Sequence, residues 1–204
     1  MRYFNFCKVN GAGNDFILID LISGGEESFS REEVIHLCDR RKGIGADGLL
    51  ILYPAQDAGF FVDFYNADGS NGSLCGNGAR CIIKYAFEQG MDRDSEVRFQ
   101  FGEKIYRGEL PNGGEPVFHL NRPARLKKGF KIKAHNSLFT AHFCDTGSPH
   151  LIVDINDVPV DHRYPGKTFS DFTGFPVDGL GRELRYHPDF APQGLNVNFI
   201  KTVD

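Results

Sequence analysis

Between residues 48 and 120 one strand-like run follows another with a single helical stripe among them, and this limits the fold more than any other feature. Apolar, β-branched and aromatic runs lie at 48–53, 59–65, 95–101, 103–109 and 116–120. Earlier runs at 3–9 and 16–21 flank the turn Gly11-Ala12-Gly13, and later ones fall at 138–144, 151–155 and 196–201. The stripe itself is Ala79, Ile82, Ile83, Ala86 and Phe87 at helical spacing, with Gly90 where a C-cap belongs. Ser30 and Glu33 form a capping box ahead of Val34, Ile35, Leu37 and Cys38, predicting a helix that stops near Gly43. A short helix is predicted over 178–186. Strands this often consecutive exclude a doubly wound parallel sheet and predict an α+β fold.

Lys and Arg number 23 against 27 Asp and Glu, a net charge of −4, which argues against nucleic-acid binding driven by bulk charge. The basic stretch from Arg122 to Lys133 reads as a solvated loop and strand edge. No apolar run approaches the roughly 18 residues of a membrane span, and the first residues show no signal-peptide pattern, so no membrane partner is expected. Five cysteines at irregular spacings do not make a disulfide framework. A reducing cytoplasm is the expected compartment, and it would keep a functional thiol free. Neither Cys75 with Cys81 nor His142, Cys144 and His150 has zinc-site spacing, so no metal is expected. Gly43-Ile44-Gly45-Ala46-Asp47-Gly48 matches the letters of a dinucleotide fingerprint, but it follows a helix and leads into a strand, the reverse of the required order.

The densest chemistry lies in Asn66–Cys81, NADGSNGSLCGNGARC. Cys75 directly precedes Gly76-Asn77-Gly78 and the predicted helix. The first N–H groups of a helix have no internal partner, and the helix dipole adds partial positive charge there. A thiol at that point has its thiolate favoured. Glycines at 76 and 78 leave room for the same N–H groups to receive a carboxylate, and Asn66 and Asn77 add neutral hydrogen-bonding groups. Cys38 and Cys81 fall on helical stripes and read as core.

Gly13–Asp20 also aligns with Gly147–Asp154: glycine, a small polar residue, two variable positions, an apolar triplet and aspartate. Read as a duplication offset by 134 residues (147 − 13), this puts the counterpart of Cys75 near position 209, beyond Asp204. The chain is then expected to stop before its second half is complete.

The chain resembles the diaminopimelate epimerase family. NADGS…CGNGARC at 66–81 is the family signature, GAGNDF at 11–16 resembles its HGxGNDF with Asn10 in place of His, RRKGIGADGL at 40–49 resembles its second motif, and GLNVNF at 194–199 resembles the approach to its second catalytic segment. The resemblance implies two similar α+β domains, each a curved mixed sheet around a central helix. These would be residues 1–115 and a partial domain over 116–204. It implies cofactor-free epimerisation of LL-2,6-diaminopimelate to the meso isomer, used for lysine and peptidoglycan, by two cysteines on opposite faces of the α-carbon. A homodimer is compatible with it. Carried onto this sequence, Cys75 is catalytic, Asn14, Asn66 and Asn196 bind substrate, Gly76 and Asn77 cradle a carboxylate, and Ser148 and His150 support the site. Ser148 stands where the family has Asn. The family's Glu-Arg pair and following Cys-Gly-Ser/Thr-Gly turn do not occur in residues 1–204, so this chain alone is expected to racemise poorly. The alternatives are a related proline-type racemase or isomerase and a non-catalytic amino-acid-binding module.

Overall fold

The computed structural model describes residues 3–25, 28–192 and 194–203. The chain forms two compact units, Met1–Leu120 and Asn121–Asp204.

The first unit holds one seven-stranded sheet in sequence order: β1 (Cys7–Gly11), β2 (Asn14–Asp20), β3 (Gly48–Tyr53), β4 (Phe60–Asn66), β5 (Glu96–Phe101), β6 (Lys104–Glu109) and β7 (Val117–His119). Its two parallel pairs are β2–β3 and β4–β5. Parallel neighbours require a crossover, and those two connections carry the helices α1 (Arg31–Cys38) and α2 (Gly76–Glu88). Side chains alternate faces along a strand. Ile17, Ile19, Leu49 and Ile51 therefore pack with Val34 and Cys38 of α1, while Phe16, Leu18, Leu50 and Leu52 pack with Ala79, Ile82, Ile83 and Ala86 of α2. Both faces are covered, which explains why β2 and β3 read as unbroken apolar runs. α2 touches β1 and β2 near one end of the sheet and β5, β6 and β7 at the other, so the sheet curls around it. Ile83 sits where a Cβ on Gly108 would lie 2.2 Å away, so only glycine fits at that point of β6.

The second unit has four strands in the order β11-β10-β9-β8: β8 (Ala124–Ala134), β9 (Ser137–Asp145), β10 (Pro149–Asp154) and β11 (Asn196–Ile200). α3 (Val177–Arg185) is the crossover between parallel β10 and β11. Leu151 and Val153 face a core with Ile132, Phe139, Phe175, Leu180 and Leu184. His150, Ile152 and Asp154 on the opposite face are half-exposed.

The internal alignment has a structural counterpart. β1-β2-α1-β3 and β9-β10-α3-β11 share element order and pairing sense, antiparallel and then parallel. Register agrees as well: Phe16 pairs with Gly48 and Asp20 with Leu52, while His150 pairs with Asn196 and Asp154 with Ile200. The aligned aspartates do the same work. Asp20 accepts from the Ile22 N–H at 2.9 Å and Asp154 from the Asn156 N–H at 3.0 Å, each closing a turn as its strand ends.

One expectation needs correction. α1 stops at Cys38, not near Gly43, because the Asp39 carboxylate takes the N–H groups of Arg41 and Lys42 at 2.7 and 2.9 Å and turns the chain out of the helix. The stretch Arg122–Lys133 is largely strand β8. It lies at the sheet edge and bulges at Gly129, whose φ is +64°. Its lysines are exposed, as suits an edge strand, and only Ile132 and Ala134 are buried. Among the described residues no helix is long and apolar enough to cross a membrane.

The capping box forms as expected, with Glu33 N–H donating to Ser30 Oγ at 3.2 Å and Ser30 N–H to Glu33 Oε2 at 2.8 Å. Ser30→Ala should cost about 1 kcal/mol, read as a lower urea midpoint with an unchanged denaturant slope.

Candidate functional site

Cys75 is the N-cap of α2. Its backbone is extended (φ −103°, ψ 151°) and its Sγ accepts from the Gly78 N–H at 3.2 Å. No acidic residue occupies the first turn of the helix. Arg80, one turn into the helix, donates to Asn77 Oδ1 at 2.5 Å, which leaves the Asn77 amide N–H2 as a donor. A Cβ on Gly76 would meet only Arg80, at 3.6 Å, so the approach to the helix start is open there. Gly11 is different. A Cβ there would lie 2.7 Å from the Asn77 carbonyl oxygen, and its absence lets the β1–β2 turn close on the first turn of α2. Asn14 pairs directly across from Gly11, so it arrives at the same end of the unit.

Asn14 is held by a buttress. Its Nδ2 donates to Asp47 Oδ2 at 2.7 Å, and Arg40 bridges Asp47 Oδ1 at 2.8 Å to both oxygens of Asp15 at 2.7 and 3.1 Å. Lys8 adds an ion pair to Asp15 at 2.8 Å. The Arg40 guanidinium, and then Lys8, hold the Asp15 carboxyl well below the usual carboxylate range. From the same loop the Asp47 carbonyl accepts from the Ala67 N–H at 3.2 Å, next to Asn66. Asn66 pairs with Gly48 across β3–β4 and closes its own turn, with its N–H on the Ser70 carbonyl at 2.9 Å and Nδ2 on Ser70 Oγ at 3.0 Å.

The orientations of these amides follow from their partners. Asn14 faces a carboxylate and Asn66 a hydroxyl and a carbonyl, so each points its N–H2 inward and offers Oδ1 as an acceptor. Asn77 faces a guanidinium and offers a donor. The N–H groups of Gly76 and Asn77, which have no partner within the helix, add donors for a carboxylate to the acceptors that the first unit offers an ammonium. Those are the two charged groups of an α-amino acid.

The other predicted residues lie together in the second unit. Ser148 Oγ is 3.0 Å from His150 Nε2, Asn196 Nδ2 is 3.4 Å from the Pro149 carbonyl oxygen, and Asn196 pairs with His150 across β10–β11. A cavity of about 500 Å³ opens beside them, lined by His150, Asn196 and Asn198 and by Asp178, Arg182 and Arg185 of α3. Sequence reasoning missed Asn198, although it lies in the quoted GLNVNF stretch on the same face of β11 as Asn196. It also quoted Arg40 and Asp47 as motif letters without their role in holding Asn14.

Cys38 and Cys81 are buried, as expected from their helical stripes. Burial pushes the Cys81 thiol up to about 11 and raises that of Cys38.

The diaminopimelate epimerase family model matches residues 6–107. Curated proteins named diaminopimelate epimerase match nearly the whole chain. The Chlorobaculum tepidum protein is 35% identical over 95% of this chain and 68% of its own length, and the Aquifex aeolicus protein 32% identical over 97% and 69%.

The chain belongs to the diaminopimelate epimerase family.

It spans about two-thirds of those relatives. Among solved structures, a probable proline racemase from Agrobacterium radiobacter matches with a TM-score of 0.58 at 14% identity, covering 79% of this chain and 55% of that one. A hydroxyproline epimerase from Agrobacterium vitis gives 0.57 at 14%, covering 74% and 52%. Identity this low shows shared fold alone, and the chain spans only about half of each of those structures. In this diaminopimelate epimerase family member, the α+β expectation holds: mixed sheets, few helices and a repeated strand-strand-helix-strand unit.

The buttress predicts a pH signature. Asp15 titrates below its unfolded value near 3.9, so its contribution is full above that value and is lost as pH falls through the depressed folded value. Arg40→Gln removes the main cause. Urea midpoints should show the variant less stable than wild type at pH 6, with the gap narrowing by pH 3. A gap that stays constant with pH would show that the Arg40–Asp15 pair contributes nothing.

Proposed function

We propose that this chain carries one proton-transfer arm of a cofactor-free epimerase that converts LL-2,6-diaminopimelate to the meso isomer, with Cys75 as the acid or base. The observation that carries the reading is the position of Cys75 as N-cap of α2, its sulfur accepting the Gly78 N–H at 3.2 Å beside the first-turn N–H groups of Gly76 and Asn77, which a helix cannot satisfy internally. An amino-acid α-hydrogen is very weakly acidic. Without an electron sink, the negative charge that develops as the C–H bond breaks must be spread into the carboxylate and met there by fixed donors. The first turn of α2 and the Asn77 amide are such donors, and they are one helical turn or less from the thiol.

In the deprotonating direction, the Cys75 thiolate takes the α-proton and the C–H electron pair delocalises into the carboxylate. Inversion then requires a proton delivered to the opposite face. In the reverse direction the Cys75 thiol delivers the proton. Family resemblance implies a second cysteine in a Cys-Gly-Ser/Thr-Gly turn for the other face, and residues 1–204 contain no such turn. Asn14 and Asn66 offer acceptors to the ammonium group. Within the second unit, Ser148, His150 and Asn196 form a polar group of their own, to which family resemblance gives a supporting role. The product would feed lysine and peptidoglycan synthesis in the cytoplasm.

The test is exchange in D2O. Incubated with LL-diaminopimelate, the chain should wash the α-hydrogen out of the substrate's proton spectrum, and Cys75→Ala should slow this by about 10²–10⁴-fold, the usual worth of a positioned acid or base. Exchange that survives in Cys75→Ala refutes the assignment. Calorimetric binding of diaminopimelate with no exchange in either protein would favour an amino-acid-binding module instead.

A further inference from the structure

In the second unit a polar chain runs from β11 to the start of β10. Asn198 Nδ2 lies 3.1 Å from His150 Nδ1, 3.2 Å from the Leu151 carbonyl oxygen and 3.5 Å from that of Asn196. Two carbonyl oxygens face that end of the amide, so it is the N–H2 end, since an amide oxygen there would meet only other acceptors. An amide N–H2 can only donate, and its two hydrogens go to the two shortest contacts, His150 Nδ1 and the Leu151 carbonyl. His150 Nδ1 therefore accepts, and in the neutral ring the proton sits on Nε2. That Nε2–H is 3.0 Å from Ser148 Oγ and occupies one of its lone pairs, so the hydroxyl hydrogen of Ser148 is directed to some other acceptor.

We propose that Asn198 is a positioning residue that locks His150 in the Nε2–H tautomer and so commits Ser148 to act as a hydrogen-bond donor. The geometry contains the alternative it excludes. With a proton on Nδ1, the ring would face the Asn198 N–H2 donor to donor, and Ser148 would have to turn its hydrogen back to Nε2. A donor at Ser148 suits a carboxylate oxygen, and that consequence alone rests on the epimerase reading. The tautomer lock does not.

Long-range proton–nitrogen NMR on the full chain labelled at histidine tests the lock, at a pH where the ring is neutral in every protein compared. His150→Gln identifies the signals by their loss. The expected wild-type pattern is that of a pure Nε2–H ring. A ring averaging between tautomers, or one protonated at Nδ1, overturns the proposal. Asn198→Asp replaces a donor with a group that only accepts, and should invert the pattern to Nδ1–H; an Nε2–H ring retained in that variant overturns it. If Asn198→Asp does not fold, Asn198→Leu decides. A ring that becomes exchange-averaged supports the lock, and one that stays fixed as Nε2–H removes it. These spectra do not read catalysis, so failure of the exchange assay with Cys75→Ala and failure here are separate results.

Discussion

Burial of β2 and β3 on both faces is the constraint on which the first unit depends. Phe16 and Leu18 with Leu50 and Leu52 face α2, while Ile17 and Ile19 with Leu49 and Ile51 face α1. Because the pair is parallel, its connection must cross over the sheet, and α1 is that crossover. The strand ends are then not free to vary. Asn14 begins β2, Asp47 immediately precedes β3 and Asn66 ends the antiparallel β4, so all three come to one end of the sheet. α2 starts at that end because its first turn packs on Gly11. A polar cluster assembled from four separate parts of the chain thus rests on two short apolar strands, each packed too tightly to slip. A one-residue register shift would exchange the faces of every side chain in the pair.

The second unit repeats the same strand-strand-helix-strand plan with the same register, yet its chemistry differs. Where β2 puts Phe16 opposite Gly48, β10 puts His150 opposite Asn196. A packed position in one copy is a polar position in the other, and this follows from burial. Phe16 lies under α2, whereas His150 is half-exposed and bonded to Ser148 and Asn198. The repeated plan supplies the scaffold, and what covers each face decides whether an aligned site can carry polar groups. The element that resists change is the closing aspartate. Asp20 and Asp154 serve the backbone turn itself, and that requirement is the same in both copies.

The features that could be read from the sequence are those set by neighbours in the chain. Ser30 and Glu33 are three residues apart and form the box their spacing predicts. β3 runs over 48–53 as expected because its apolar residues are consecutive and its boundary glycine is local. α2 and its thiol were legible because glycine, asparagine and cysteine precede an unmistakable stripe. β8 was legible only in part, as a loop and strand edge, since an edge strand with outward lysines shows alternation only in its last residues, around Phe130, Ile132 and Ala134. The Arg40 buttress was hidden for another reason. Arg40 and Asp15 lie 25 residues apart, and nothing in either segment says that folding will join them. Asn198 was missed because its partner, His150, lies 48 residues earlier.

Two of the distant contacts, Asp47 with Asn14 and the Leu151 carbonyl with Asn198, also fix the sense of an amide. An asparagine side chain is ambivalent, since its two ends differ in hydrogen bonding but hardly in shape. Position alone does not say whether it will greet a carboxylate or an ammonium. In this chain four such amides are answered by a partner that is not ambivalent: Asp47 for Asn14, the Asn71 carbonyl for Asn66, Arg80 for Asn77 and the Leu151 carbonyl for Asn198. A carboxylate or carbonyl can only accept and a guanidinium can only donate, so each removes one of the two choices. Replacing Asp47 by Asn would preserve shape but, with its oxygen held by Arg40, would turn a donor towards both Asn14 and the Asp15 N–H, so Asn14 would have to reverse and one hydrogen bond would be lost. What each asparagine offers its surroundings is therefore set as much by the charged and backbone groups behind it as by the asparagine itself.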